Sequence, residues 1–207
     1  MAQRTDPPVF GEAGTYLTGA VRTTTQVPIP ANTAAFDVVL VHMYLEITNA
    51  VTPATDFAEV PGAEFTTNFT GGRLFWKRLT AAEGGATYDF THPSGFTEAV
   101  AERYTGCVRY GDPYDAGADS VQRSSADTNT PAVTITTLND NRLIVWSATS
   151  VSLGAWTPPT GYDERVDTAR ELTVATDELL VAGSSGSLVG TGPSDNMTAW
   201  ALALIPQ

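Results

Sequence analysis

The chain has 207 residues, a net charge of −12 and one cysteine, with 42% hydrophobic and 16% charged residues. That length can bury a core without staples, one cysteine forbids an internal disulfide, and Lys77 with ten scattered arginines is too little positive charge for a nucleic-acid partner. No run approaches the ~20 apolar residues of a membrane-spanning helix, and residues 1–8 lack the basic start and apolar stretch of a secretory leader, so the expectation is a soluble acidic protein made in a cytoplasm.

Along the chain the pattern is β throughout. Threonine supplies 31 of the 207 residues, and β-branched side chains suit a pleated, half-buried surface. Residues 1–22 mix turn formers with the isolated aromatics Phe10 and Tyr16, and read as an N-terminal arm ahead of one domain over 23–207. Strand-length runs fall near 14–19, 23–29, 36–47, 73–79, 86–91, 96–104, 131–137, 142–149, 162–167, 170–175, 178–184 and 196–205, separated by Gly, Pro, Asp and Asn clusters. No segment sustains a 3.6-residue period, so little or no helix is expected. Two stretches, 105–130 and 185–195, are rich in small and polar residues and read as loops.

Alternate residues of a strand face opposite ways. In 36–46 one row is wholly apolar (Val39, Val41, Met43, Leu45), while the other is mixed (Val38, Leu40, His42, Tyr44, Glu46). The runs at 142–148 and 196–205 are apolar on both rows, which predicts central strands covered on both sides. With no disulfide available, stability is expected from packing among Trp76, Trp146, Trp200 and the aliphatic strands.

Several segments occur in a suggestive order. Val27-Pro28-Ile29-Pro30-Ala31-Asn32-Thr33 precedes an apolar strand, followed by Arg73-Leu74-Phe75-Trp76-Lys77-Arg78 and Ala99-Val100-Ala101-Glu102-Arg103-Tyr104-Thr105-Gly106. Then come Trp156-Thr157-Pro158-Pro159-Thr160-Gly161-Tyr162-Asp163-Glu164-Arg165 and an apolar closing strand. Over residues 25–207 this order resembles the single-domain, jelly-roll-like β-sandwich virion proteins of tailed bacteriophages, of the capsid decoration or minor tail type. The resemblance implies a two-sheet antiparallel sandwich and a virion context. It also implies partners among major capsid or tail proteins and contacts between copies on the particle. It carries no catalytic motif and no cofactor.

The residues themselves lead away from catalysis. His42 and His92 are the two histidines; one sits mid-strand, the other beside Pro93, and no Gly-X-Ser-X-Gly elbow accompanies them. Nothing near Cys107 in sequence would activate its thiol, so a buried or half-buried residue is expected. Glu98 and Glu102 share a row but lie about 13 Å apart along an extended strand, beyond glycosidase spacing. Asp112, Asp115 and Asp119 could offer oxygens to Ca²⁺, but not with the spacing of an EF-hand, and a solvated acidic loop is the simpler reading. We therefore expect a protein that is not an enzyme and holds no metal or cofactor.

The remaining candidates are partner-binding aromatics: Phe10 and Tyr16 in the arm, and Tyr44, Phe75, Phe96 and Tyr104 on strands that also carry Arg73, Lys77, Glu98 and Glu102. Such a face suits docking to another protein or to a host-surface glycan, unless the arm or the 105–130 loop covers it.

Overall fold

The computed structural model describes residues 6–46, 50–63, 71–115, 118–122, 127–166 and 169–207. In chain order the strands are β1 (Val9–Ala13), β2 (Leu17–Pro28), β3 (Val38–Leu45), β4 (Ala58–Glu59), β5 (Gly71–Arg78), β6 (Thr87–Thr105), β7 (Asp119–Gln122) and β8 (Asp127–Asn129). There follow β9 (Thr136–Thr137), β10 (Arg142–Ser150), β11 (Asp163–Val166), β12 (Leu172–Leu179), β13 (Gly183–Ser184), β14 (Thr191–Asp195) and β15 (Met197–Leu204). No described residue is helical.

Every pairing is antiparallel, and the strands form the expected all-β sandwich. The first sheet runs β1-β6-β3-β5-β4, with β2 beside β1 on the same edge of β6; the second runs β11-β12-β10-β15-β7. Each half of the chain thus builds its own sheet, and this order does not display the interleaved connectivity of a jelly roll.

Parity divides the interior into three apolar layers. The row Val38, Leu40 and Tyr44 of β3 meets Leu143 and Val145 of β10 and Trp200, Leu202 and Leu204 of β15 between the sheets. The wholly apolar row (Val39, Val41, Met43, Leu45) faces outward, where Val27, Ile29, Val51, Phe57 and Phe90 cover it. On the far side of the second sheet, Ile144, Trp146, Ala199 and Ala201 are covered by Val133, Ile135, Trp156 and Leu188. The mixed row is therefore the inner one.

Two close approaches fix this packing. Gly72 on β5 leaves room for the inter-sheet Trp200, whose ring a Cβ there would meet at 2.5 Å. Gly190 lets the chain cross Trp146, whose indole a Cβ would meet at 2.7 Å.

The stretches predicted as separate strands at 86–91 and 96–104 are one strand, β6, with a bulge. Between the Arg22–Gly95 and Thr24–Thr91 pairs, one residue of β2 (Thr23) faces three of β6, His92-Pro93-Ser94, and a proline is tolerated in such a bulge. His92 closes the bulge: Nδ1 lies 2.9 Å from the Pro93 carbonyl and Nε2 2.9 Å from Thr25 Oγ1.

Residues 6–22, expected to lie outside the sandwich as an arm, belong to it. Val9–Ala13 pair with Glu102–Thr105, and Leu17–Arg22 with Gly95–Ala99. The arm reading failed because its Gly11, Gly14 and Gly19 look like breaks, whereas here Gly11 makes room for the Arg103 side chain, Gly14 for the Pro28 carbonyl and Gly19 for the Phe96 ring. The edge is also shielded, since Arg22 folds back to donate to the carbonyls of Thr18 at 2.8 Å and Ala20 at 3.4 Å, occupying acceptors that an added strand would need.

Two outcomes follow. Deleting residues 1–22 removes β1 and half of β2, and is expected to cost at least about 3 kcal/mol, the scale of losing a buried aromatic; a thermal melt of the truncated chain checks it. Gly72→Ala is expected to destabilise by about 1–3 kcal/mol through overpacking against Trp200, read as the shift in urea midpoint.

Candidate functional site

Five of the six partner-binding candidates converge, but inside the protein. Tyr44 and Tyr104 lie in the inter-sheet core, with Phe10, Tyr16 and Phe96 partly buried against it. Phe10 packs edge-on to Tyr104 with ring centroids 5.9 Å apart, and Tyr44 edge-on to Phe96 at 6.2 Å. Phe75 points the other way, into the outer layer against Phe90 at 5.1 Å. Tyr44, Phe75 and Tyr104 are fully buried, so they cannot meet a partner in this fold. Parity explains the error, since the mixed row is where the second sheet packs.

What those aromatics surround is a pair of carboxyl groups. Glu98 on β6, fully buried, accepts at Oε2 from the Tyr16 hydroxyl and from the Glu171 amide at 3.2 Å, and at Oε1 from the Gly19 amide at 2.9 Å. Glu171, one residue before β12, brings its carboxyl within hydrogen-bonding reach of Glu98. Burial, then that bond and the charge of Glu98, push the Glu171 carboxyl up to about 7, against the opposing pull of Arg170. Tyr44, Glu46, Phe96 and Val151 complete a notch of about 160 Å³ over Glu171. The hydroxyls of Tyr16 and Tyr44 are driven upward by burial and by the surrounding acids, which for Tyr44 include Glu46 and Asp195. Both therefore stay protonated donors at neutral pH.

Deeper along β6, His42 Nε2 lies 3.6 Å from Glu102 Oε2, with both side chains inaccessible to solvent. His42 stacks on Trp200 at 6.3 Å, and neither of its ring nitrogens has a hydrogen-bond partner. Burial drives the imidazole down to about 3 and the Glu102 carboxyl up to about 7, the latter opposed by the Tyr104 hydroxyl, which donates at 2.5 Å, and by Arg165. At this depth neutral forms win, because an isolated buried charge is far more expensive than a protonated acid.

The chain matches no protein-family model, no curated protein and no solved structure.

The other sequence candidates have structural occupations. Cys107 is buried, and burial pushes its thiol up to about 12. Asp115 is held by Arg142 through Nε at 2.7 Å and Nη2 at 3.3 Å, and Asp119 accepts from the Thr134 amide at 3.1 Å. Among the described residues, no three His, Cys, Asp or Glu side chains group as metal ligands. Arg73 pairs with Glu59 at 3.3 Å, and Lys77 with Glu83 at 2.5 Å. Sequence reasoning missed Glu171, because only the topology carries it across to Glu98.

The paired acids make stability depend on pH. A carboxyl raised from 4.5 to about 7 keeps its proton in the fold and loses it when unfolded. Its stabilisation is therefore complete below about pH 4.5 and is lost as pH rises through about 7. The depressed Glu83, at about 2 because hydrogen bonds from Lys77, Tyr88 and Thr80 outweigh its burial, has the opposite sign: its stabilisation is present above about pH 4.5 and is lost as pH falls toward 2. Glu171→Gln keeps a donor to Glu98 but cannot ionise. Its melting temperature is expected to fall less than the wild type's between pH 5 and 8; equal slopes would show that Glu171 does not titrate in this window.

Proposed function

We propose that this chain is a non-enzymatic structural subunit of a tailed-bacteriophage particle, made in the host cytoplasm and serving as a capsid decoration or minor tail protein. The resemblance in segment order supports this reading, and so does a body built for rigidity rather than turnover. Three apolar layers and two fully paired central strands surround Glu98, whose acceptors are taken up from within by Tyr16, Gly19 and Glu171.

One observation bears on how it docks. The loop between β9 and β10 and the loop after β12 meet at one end of the sandwich, joined by Asn141 N to Leu180 O at 3.3 Å and Ala182 N to Asp140 Oδ1 at 2.8 Å. Leu138, Leu180 and Val181 stand on this tip, 74%, 47% and 71% exposed. Apolar side chains clustered on adjoining loops are what a protein interface uses. This tip, rather than the arm expected from sequence, is the docking element: it offers apolar surface to the shell or tail protein of the particle, while the β2 edge is closed by Arg22.

Quantitative mass spectrometry of particles from the source phage is expected to find the chain in hundreds of copies for decoration, or a few for the tail. Its absence from purified particles would overturn the reading. Leu138→Asp with Val181→Asp is expected to leave the melting temperature within a few degrees while removing at least nine-tenths of the particle-bound protein.

A further inference from the structure

Outside the core and the tip, the loops carry a second concave feature. The Trp156–Arg165 run and the 185–189 segment meet over the outer face of the second sheet and enclose a cavity of about 260 Å³. Its floor is Ile144 and Leu179, with Leu188 as an apolar wall; Thr160, Tyr162, Asp177 and Ser187 supply the polar side. The sequence explains this shape. Pro158-Pro159 stiffens the approach, and Gly161 at φ 93° turns the chain so that the Tyr162 amide bonds the Pro159 carbonyl at 3.0 Å. Asp177 comes from the outward row of β12, and a Cβ on Gly161 would sit 3.9 Å from its Oδ2.

The polar groups here are unspent. Asp177 Oδ1 accepts from the Glu178 amide at 2.8 Å, but among the described residues its Oδ2, the Tyr162 hydroxyl and the hydroxyls of Thr160 and Ser187 have no hydrogen-bond partner. Burial, with the nearby Asp177 charge, raises the Tyr162 hydroxyl, so it stays a neutral donor. This differs from the Glu98 side chain, whose two oxygens are both occupied from within.

The chemistry selects a ligand class. An aliphatic floor beside hydroxyls and a carboxylate matches a sugar ring, which has an apolar C–H face and a rim of hydroxyls. The volume lies below the ~300–1,000 Å³ of drug-sized pockets, so it admits one ring and not an oligomer. No lysine or arginine lines the cavity, while Asp177 and Glu178 do, so phosphates and acidic sugars are repelled. A peptide strand could pair only along the Asp177–Leu179 edge that β11 leaves open, and not across the Ile144 floor, because β10 is hydrogen-bonded on both sides.

We propose that this cavity binds a single neutral or amino sugar unit, the terminal residue of a glycan, with Asp177 and Tyr162 hydrogen-bonding its hydroxyl or ammonium groups. The inference does not depend on the particle assignment: a decoration protein or a free adhesin could carry it.

Saturation-transfer NMR and calorimetry on the full chain, with glucose, galactose, mannose, glucosamine and glucuronate each tested to about 50 mM, read the proposal directly, since single-sugar affinities are of the order of millimolar. At least one of the four neutral or amino sugars is expected to bind saturably and glucuronate at least tenfold more weakly. Asp177→Ala and Tyr162→Phe are each expected to weaken binding at least fivefold with an unchanged melting temperature. Three results would overturn it: no binding by any neutral or amino sugar, glucuronate binding as tightly as the others, or binding that neither variant changes.

Discussion

The strands of both sheets carry buried side chains on both faces, and a sheet with two apolar faces cannot stop at two layers. A simple sandwich would expose Val39, Val41 and Met43 on one side and Ile144, Trp146 and Met197 on the other. The chain has no helices among its described residues to spread over those faces, so it uses irregular segments. Val51 and Phe57 with the far half of the β2–β6 pair close one face, and Val133, Ile135, Trp156 and Leu188 close the other. The long connections that composition marks as loops are thereby part of the core. Small residues make this possible. Ala199, Ala201 and Ala203 line the outer row of β15, where the lid lies close, while Trp200, Leu202 and Leu204 fill the wider gap between the sheets.

The same constraint explains where the acids went. A row that is mixed in sequence has to be buried somewhere, and its carboxyls survive burial only with donors or with a proton. Glu98 has three donors from two separate segments, Tyr16 and Gly19 on one side and Glu171 on the other, so one side chain ties the edge strand β2 and the second sheet to β6. Glu171 and Glu102 take the other solution and hold protons near neutrality. The cost of desolvation is thus offset by cross-links at fixed geometry, a use of buried polarity that defines register more than it adds stability.

How much of this was legible in the sequence follows from what alternation can and cannot report. Two-residue periodicity revealed the strands β3, β10 and β15, the double-faced burial of β10 and β15, and the absence of helix among the described residues. It could not say which row faces the partner sheet, because both rows of β3 end up buried; the mixed row therefore looked exposed, and Tyr44 and Tyr104 looked available. It also failed where glycine carries packing information rather than a turn, as at Gly19, and where proline sits in a bulge, as at Pro93. Glu171 joins Glu98 across 73 positions, and Asp177 joins Tyr162 across a turn. Contacts of that kind exist only once the sheets are stacked.

The charge of −12 then acquires a location. Arg73, Lys77 and Arg142 are all buried, bound to Glu59, Glu83 and Asp115, and Arg103 reaches Asp37. Cations are thus disproportionately spent inside on ion pairs. Each pair removes one charge of either sign and leaves the net unchanged, so the excess of acid is carried by a surface with few cations left to balance it. Such a surface repels its own copies at long range and does so less as salt rises. Association therefore has to be carried by places where acid is sparse and apolar atoms are exposed, or by a basic partner. On this molecule the Leu138–Val181 tip exposes apolar atoms, with Asp140 turned onto the Ala182 amide, and the cavity between the 156–165 and 185–189 segments favours a ligand that tolerates negative charge. One electrostatic background thus selects both an apolar protein contact and a neutral or cationic small ligand.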